Sequence, residues 1–158
     1  MSAEDEKFMR EAVRLAEEGM RSGRGGPFGA VIVLDGEIIG RGCNRVLETN
    51  DPTAHAEIVA IREACRYTDN YWLEGSRIYT TCEPCPMCLA AVYWARIDTL
   101  VYGADRNDAA ALEFDDALIY REVCAPFPER SLASRQCLRE RSLEVMRLWP
   151  QFDLKRIY

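Results

Sequence analysis

The sequence predicts an α/β fold of three layers, with helices on both faces of a central mixed sheet. Three observations point to it. The stretch "GAVIVLDGEIIGRG" (29–42) contains a run, "AVIVL", that is apolar on both sides of an extended chain, so both faces of that strand need covering. Helical and strand-like patterns alternate along the chain. The segment from Ser76 to Ala104 reads as strand, helix, strand with short connections, and a right-handed crossover of that kind makes the two strands parallel. A hairpin beside a parallel pair gives a mixed sheet.

Each element has its own reason. Residues 4–21 place Phe8, Met9, Ala12, Val13, Ala16 and Met20 on one helical stripe, and "RSGRGGP" ends that helix. The hairpin follows, with Asp35-Gly36 as its two-residue turn. "NDPTAHAEIVAIREACR" predicts a second helix, with Asp51 as its cap and Pro52 at the tolerated first position. "SRIYTTC" is a strand, "PMCLAAVYWAR" a third helix and "DTLVYGA" a further strand. Residues 105–130 are less regular, with Pro126 and Pro128 as breakers, and a last helix is expected near 138–149, ended by Pro150. No repeat or linker interrupts the chain, which predicts one domain over residues 1–158.

Bulk properties narrow the function classes. A formal charge of -6 and a pI near 4.9 speak against a nucleic-acid surface, although the chain from Arg121 onward carries eight basic residues against five acidic ones. The longest apolar run, "CLAAVYWA", is far short of the ~18 residues a membrane span needs. The acidic start "MSAEDEK" lacks an export pattern, and seven cysteines without one predict a reducing compartment, the cytosol, where paired cysteines more often hold metal than form disulfides. "GRGGPFG" breaks the spacing of a phosphate loop and precedes no helix, which excludes that reading.

The chemistry gathers around "TCEPCPMC" (81–88) and the single histidine, His55, in "AHAE". Cys85 and Cys88 stand three apart at a helix start, so their sulfurs share a face and the helix's positive end favours thiolates. His55 also stands near a helix start, so two helix N-termini can converge on one ion. H-x-E together with P-C-x-x-C is the signature of zinc nucleobase deaminases. Zinc takes imidazole nitrogen and thiolate sulfur in tetrahedral geometry, and three protein ligands leave one position for water. Glu57 would then be the proton carrier and not a ligand. Residues two apart on a helix diverge by about 200°, so His55 and Glu57 serve one site only if the metal lies off the helix end. A closed structural site with Cys82 as fourth ligand leaves Glu57 without a task. Cys43, Cys65, Cys124 and Cys137 have no ligand spacing and are expected as small buried hydrophobes.

These residues make the chain resemble the cytidine-deaminase-like superfamily and, within it, the short bacterial guanine deaminases. The likeness runs nearly end to end, through "GGPFGAVIV", "NDPTAHAEI", "TCEPCPMCLAAVYWAR", "FDDALIY" and the terminal Tyr158. It implies zinc-dependent hydrolysis of guanine to xanthine and ammonia, with water attacking C2 and Glu57 protonating N3 before the amine leaves. It also implies roles at matching positions. Asn44 would hold the purine edge with one donor and one acceptor, and Phe28 would stack on the ring. The Ala56 amide would donate to the substrate, Asp116 would recognise the base and relay a proton, and Tyr158 would cap the ligand. A homodimer, with residues of about 131–158 exchanged between subunits, belongs to the same set of expectations.

Three other readings compete. A tRNA adenosine deaminase shares the zinc motif and the asparagine, but the acidic balance and "NDAAALEFDDALIY" count against it. A deaminase of guanosine would differ in the space beyond N9, and related amino-heterocycles such as triazines are further alternative substrates. A non-enzymatic zinc module would be indifferent to loss of Glu57.

Overall fold

The computed structural model describes residues 2–153 and Arg156 of the chain. The chain divides into two compact units, residues 1–117 and residues 118–158.

In the first unit, helix α1 (Ala3–Arg21) leads into strands β1 (Gly29–Leu34) and β2 (Glu37–Cys43), a short helix α2 (Val46–Thr49) and helix α3 (Ala56–Thr68). Strand β3 (Arg77–Cys82), helix α4 (Pro86–Trp94), strand β4 (Thr99–Ala104) and helix α5 (Arg106–Ala110) complete it. The strands lie in the order β2-β1-β3-β4. β1 runs antiparallel to both β2 and β3, and β4 runs parallel to β3, so the sheet is mixed.

Alternation along β1 builds the layers. Val31 and Val33 point to one face, where they meet Phe8 of α1 and Tyr79 of β3. Ala30 and Ile32 point to the other, into a core with Ile78 and the small residues Ala56, Ala60 and Ala64 of α3 and Val92 of α4. Asp35 and Gly36 both take positive φ, at 51° and 80°, which is the mirror-image turn that suits a twisted hairpin. α3 comes close enough to β2 that a Cβ on Gly42 would stand 2.1 Å from the Ala56 carbonyl oxygen. That close approach seats the first turn of α3 on the sheet, next to His55 and Glu57.

Three details differ from the sequence reading. Helix α3 begins at Ala56 with His55 as its N-cap, not at Asp51. The Asp51 carboxylate accepts from the Thr53 N–H at 2.8 Å and the Thr53 hydroxyl at 2.7 Å, so residues 51–53 close a local turn that competes with helix. Val13 and Met20, placed on the buried stripe of α1, are exposed, because Phe8, Ala12, Ala16 and Gly19 form the buried face. Residues 105–130 are more ordered than their pattern suggests. Asp105 caps α5 by accepting from the N–H groups of Asn107 and Asp108 at 2.7 and 3.0 Å, and a helix α6 (Ala117–Cys124) follows.

The second unit holds most of α6, a 3₁₀ turn at Phe127–Glu129, helix α7 (Arg139–Leu148) and a 3₁₀ turn at Trp149–Gln151. Arg130 donates to the Ala125 carbonyl at 2.9 Å and lies over the Phe127 ring at 4.1 Å. None of this unit's described residues is buried. Cys124 and Cys137 are accordingly exposed, against the expectation of buried thiols, whereas Cys43 is buried and Cys65 half-buried. Among the described residues no helix is long and apolar enough to cross a membrane.

Candidate functional site

Two helix N-termini meet at the site. His55 is the N-cap of α3 and Cys85 the N-cap of α4, both with extended backbone, at ψ 157° and 167°. Pro86 at the first position of α4 fits because its missing N–H is one of the donors a helix start leaves unused. Cys88 lies in the first turn of α4 and is fully buried. Since His55 stands before its helix and Glu57 inside it, the angular divergence of two helical positions does not separate them.

The His55, Cys85 and Cys88 ligand atoms all lie within 4.8 Å of one another. The His55 Nδ1 is 3.6 Å from each of the two sulfurs. Zinc bonds of ~2.0 Å to nitrogen and ~2.3 Å to sulfur in a tetrahedron put an N-to-S edge at about 3.5 Å. The spacing and the donor set therefore fit zinc. Cys82 stays outside the cluster: its thiol contacts the Asp105 carbonyl at 3.6 Å, and burial pushes its pKa up to about 11. A closed four-ligand site through Cys82 is not what these residues form.

Electrostatics of the three ligands prepare them for a cation. A hydrogen bond from Cys88, assisted by His55, pulls the Cys85 thiol down to about 4. Cys88, the donor in that pair, is pushed up, and the hydrogen bond to Cys85 holds His55 above its ordinary value. Cys88 and the imidazole thus keep one thiolate in place, and a metal would displace the proton held on the other.

Glu57 is 6% exposed, and burial raises its pKa, with the Cys85 charge acting in the same direction. A carboxyl group held dry beside a metal-ligand set is suited to taking and returning a proton near neutral pH. Ala56, between His55 and Glu57, is fully buried and occupies the first helical position, where the backbone N–H has no partner within the helix. Asp116 is half-buried; burial, and then the Cys85 charge, raise its pKa. That coupling brings Asp116 within the electrostatic reach of the ligand cluster.

Asn44 is 5% exposed at the end of β2. Its Oδ1 accepts from the N–H of Gly26 at 3.3 Å and of Val46 at 3.2 Å. Both neighbours can only donate, so the orientation of the amide is determined and both lone pairs of the oxygen are used. Of the donor and acceptor expected from the sequence, only the Nδ2 donor remains for a ligand. Phe28 is half-buried, packs against the α3 side of the core, and meets the Phe114 ring edge-on. Tyr158 lies outside the described residues.

Sequence reasoning missed the two backbone donors that aim Asn44, and it missed Phe114. A Cβ on Gly25 would stand 2.0 Å from the Asn44 Oδ1, so the second of these small residues in "GRGGPFG" makes room for the amide. The signal was present in that glycine-rich stretch, but its partner is 19 residues away in sequence.

Residues 2–104 match the family model for the cytidine and deoxycytidylate deaminase zinc-binding region. A guanine deaminase from Bacillus subtilis (strain 168) is 49% identical over 153 residues, which covers 97% of this chain and 98% of that protein. An X-ray structure of guanine deaminase from Bacillus subtilis superposes with a TM-score of 0.94 at 48% identity, covering 100% of this chain and 99% of the other. A tRNA-specific adenosine deaminase from Agrobacterium fabrum is 46% identical over 103 residues, 65% of this chain and 68% of that protein.

Proposed function

The chain belongs to the cytidine and deoxycytidylate deaminase zinc-binding family, and from that premise we propose that it hydrolyses guanine to xanthine and ammonia. The observation that carries the reading is a buried Glu57 carboxyl beside three convergent zinc ligands, His55, Cys85 and Cys88. Similarity to a guanine deaminase over nearly the whole chain, against two thirds for a tRNA-specific adenosine deaminase, supports the base as substrate.

Zinc held by the three ligands supplies Lewis acidity that makes water nucleophilic near neutral pH. Glu57 takes the proton that the water gives up as it attacks C2, and delivers it to N3. A second proton passes through the same carboxyl to the departing amine, so guanine and water leave as xanthine and ammonia. The Asn44 Nδ2 donates to an acceptor on the purine edge, and the Ala56 N–H donates to the ring from the start of α3. Phe28 stacks on the base. Asp116, with its raised pKa, hydrogen-bonds the base and relays the second proton on its way from Glu57 to the amine.

The working form is a homodimer with the C-terminal segment exchanged. Among the described residues of 118–158 none is buried, and Leu132 and Val145 among many apolar side chains are exposed, so this unit requires apolar cover. The unpaired thiols fit the reducing cytoplasm, to which we assign the protein.

Steady-state turnover of guanine, guanosine and adenosine-containing tRNA, measured in parallel, tests the substrate. Guanine alone should be consumed. Turnover of guanosine or tRNA in its place would keep the zinc chemistry and overturn the pocket as described.

A further inference from the structure

Helix α5 ends in a motif that places one aromatic ring. The N–H of Phe114 reaches the Ala109 carbonyl at 3.1 Å and that of Glu113 reaches Ala110 at 3.0 Å, a paired closure of the helix end. Glu113 takes a φ of 69°, a conformation uncommon for a residue other than glycine. The chain holds that turn and sends the Phe114 ring to Phe28, with centroids 5.0 Å apart and planes at 86°. This is the edge-to-face arrangement aromatic pairs favour. At 46% exposure, Phe114 contributes little to the core, so burial does not account for its placement.

The pair sits where two substrate loops meet. A Cβ on Gly26 would stand 3.0 Å from Phe28 Cε2 and 3.1 Å from Phe114 Cζ, so the two rings enclose that glycine. Gly26 in turn donates to the Asn44 Oδ1. Phe114 also precedes Asp116 by two residues. One continuous set of contacts therefore joins the amide that reads the purine edge, the ring that stacks on it and the loop that carries Asp116.

We propose that Phe114 is a positioning residue for guanine binding: its ring edge braces Phe28 at the stacking angle and ties the 114–116 loop to the 25–28 loop. The inference rests on the guanine reading above. Phe114 need not touch the base, because it acts through Phe28.

The test compares wild type, Phe114→Leu, Phe114→Tyr, Phe28→Leu and the Phe28→Leu/Phe114→Leu double variant for kcat and KM with guanine, with zinc content and melting temperature as controls. Loss of an aromatic pairing in Phe114→Leu should raise KM roughly two- to tenfold and leave kcat within about twofold. Phe114→Tyr keeps the ring edge and should restore the wild-type KM. In the double variant KM should be no higher than in Phe28→Leu alone, since the two residues act as one unit. An active wild type with an unchanged KM in Phe114→Leu, with no rescue by tyrosine, or with effects that multiply in the double variant would overturn the positioning role alone. A wild type silent on guanine would sink the functional reading, and this one with it.

Discussion

Asn44 offers the sharpest separation of scaffold from recognition. Its Oδ1 serves the protein by accepting from Gly26 and Val46, and its Nδ2 serves the ligand. Asn44→Ala removes both functions. Two part-buried N–H groups then lose their acceptor, at about 0.5–1.5 kcal/mol net each, so stability should fall by about 1–3 kcal/mol. For a chain of this size that is a drop in Tm of roughly 2–12 °C. Asn44→Asp is different. The carboxylate oxygen keeps accepting from both N–H groups, which also hold it ionised, so Tm should stay near that of the wild type. Only the donor is lost, and an anionic oxygen now faces the purine acceptor that Nδ2 would satisfy. An unsatisfied buried partner costs about 1–3 kcal/mol, so kcat/KM for guanine should fall roughly 5- to 150-fold. Calorimetry or a dye melt reads the first quantity and xanthine formation the second. An Asp variant that turns over guanine as well as the wild type, or that melts as early as the Ala variant, would refute the division of labour.

Further expectations follow from the same geometry. Gly42→Ala puts a Cβ 2.1 Å from the Ala56 carbonyl and 2.7 Å from the Ala60 nitrogen, both backbone atoms. α3 must move, which should cost about 2–3 kcal/mol, or about 5–10 °C in Tm, and weaken zinc retention through His55. Cys82→Ala should keep one zinc per chain by atomic absorption, whereas Cys85→Ser should lose it; equal loss in both would restore the closed site of three cysteines and a histidine. The Asp105 carboxyl is held below its ordinary value of 3.8 by the backbone N–H groups of Asp108 and Asn107. Its contribution to α5 is therefore fully present above the unfolded value and is lost as the pH falls through the lower folded one. Asp105→Ala should remove that acid-side component from melts recorded between about pH 5 and 2, and identical profiles would contradict it.

Some of this was legible in the sequence because the determinants are local. Asp35-Gly36 specifies its own turn, and the three-residue spacing of Cys85 and Cys88 puts both sulfurs at one helix end whatever surrounds them. The three layers followed from a strand apolar on both faces, and the two core clusters meet it from either side. The start of α3 was misplaced because Asp51 can cap a helix or close a turn on Thr53, and only the packing of Gly42 against Ala56 selects where the helix begins. α5 and α6 were too short for periodicity to reveal, although Asp105 and Asp108 have capping-box spacing. The aim of Asn44 was hidden for another reason: it depends on a backbone N–H from a distant loop, which no residue pattern encodes. The exposed Cys124 and Cys137 show the limit of composition, since cysteine buries only where a core exists to receive it.

The central claim is that Glu57 carries protons for a zinc-dependent deamination. Glu57→Gln is nearly isosteric and leaves His55, Cys85 and Cys88 untouched, so the decisive measurement is xanthine and ammonia release from guanine by this variant beside the wild type, with zinc counted in both. Turnover should fall by ~10²–10⁴-fold with one zinc per chain retained. Turnover within tenfold of the wild type, at full zinc occupancy, would contradict the account.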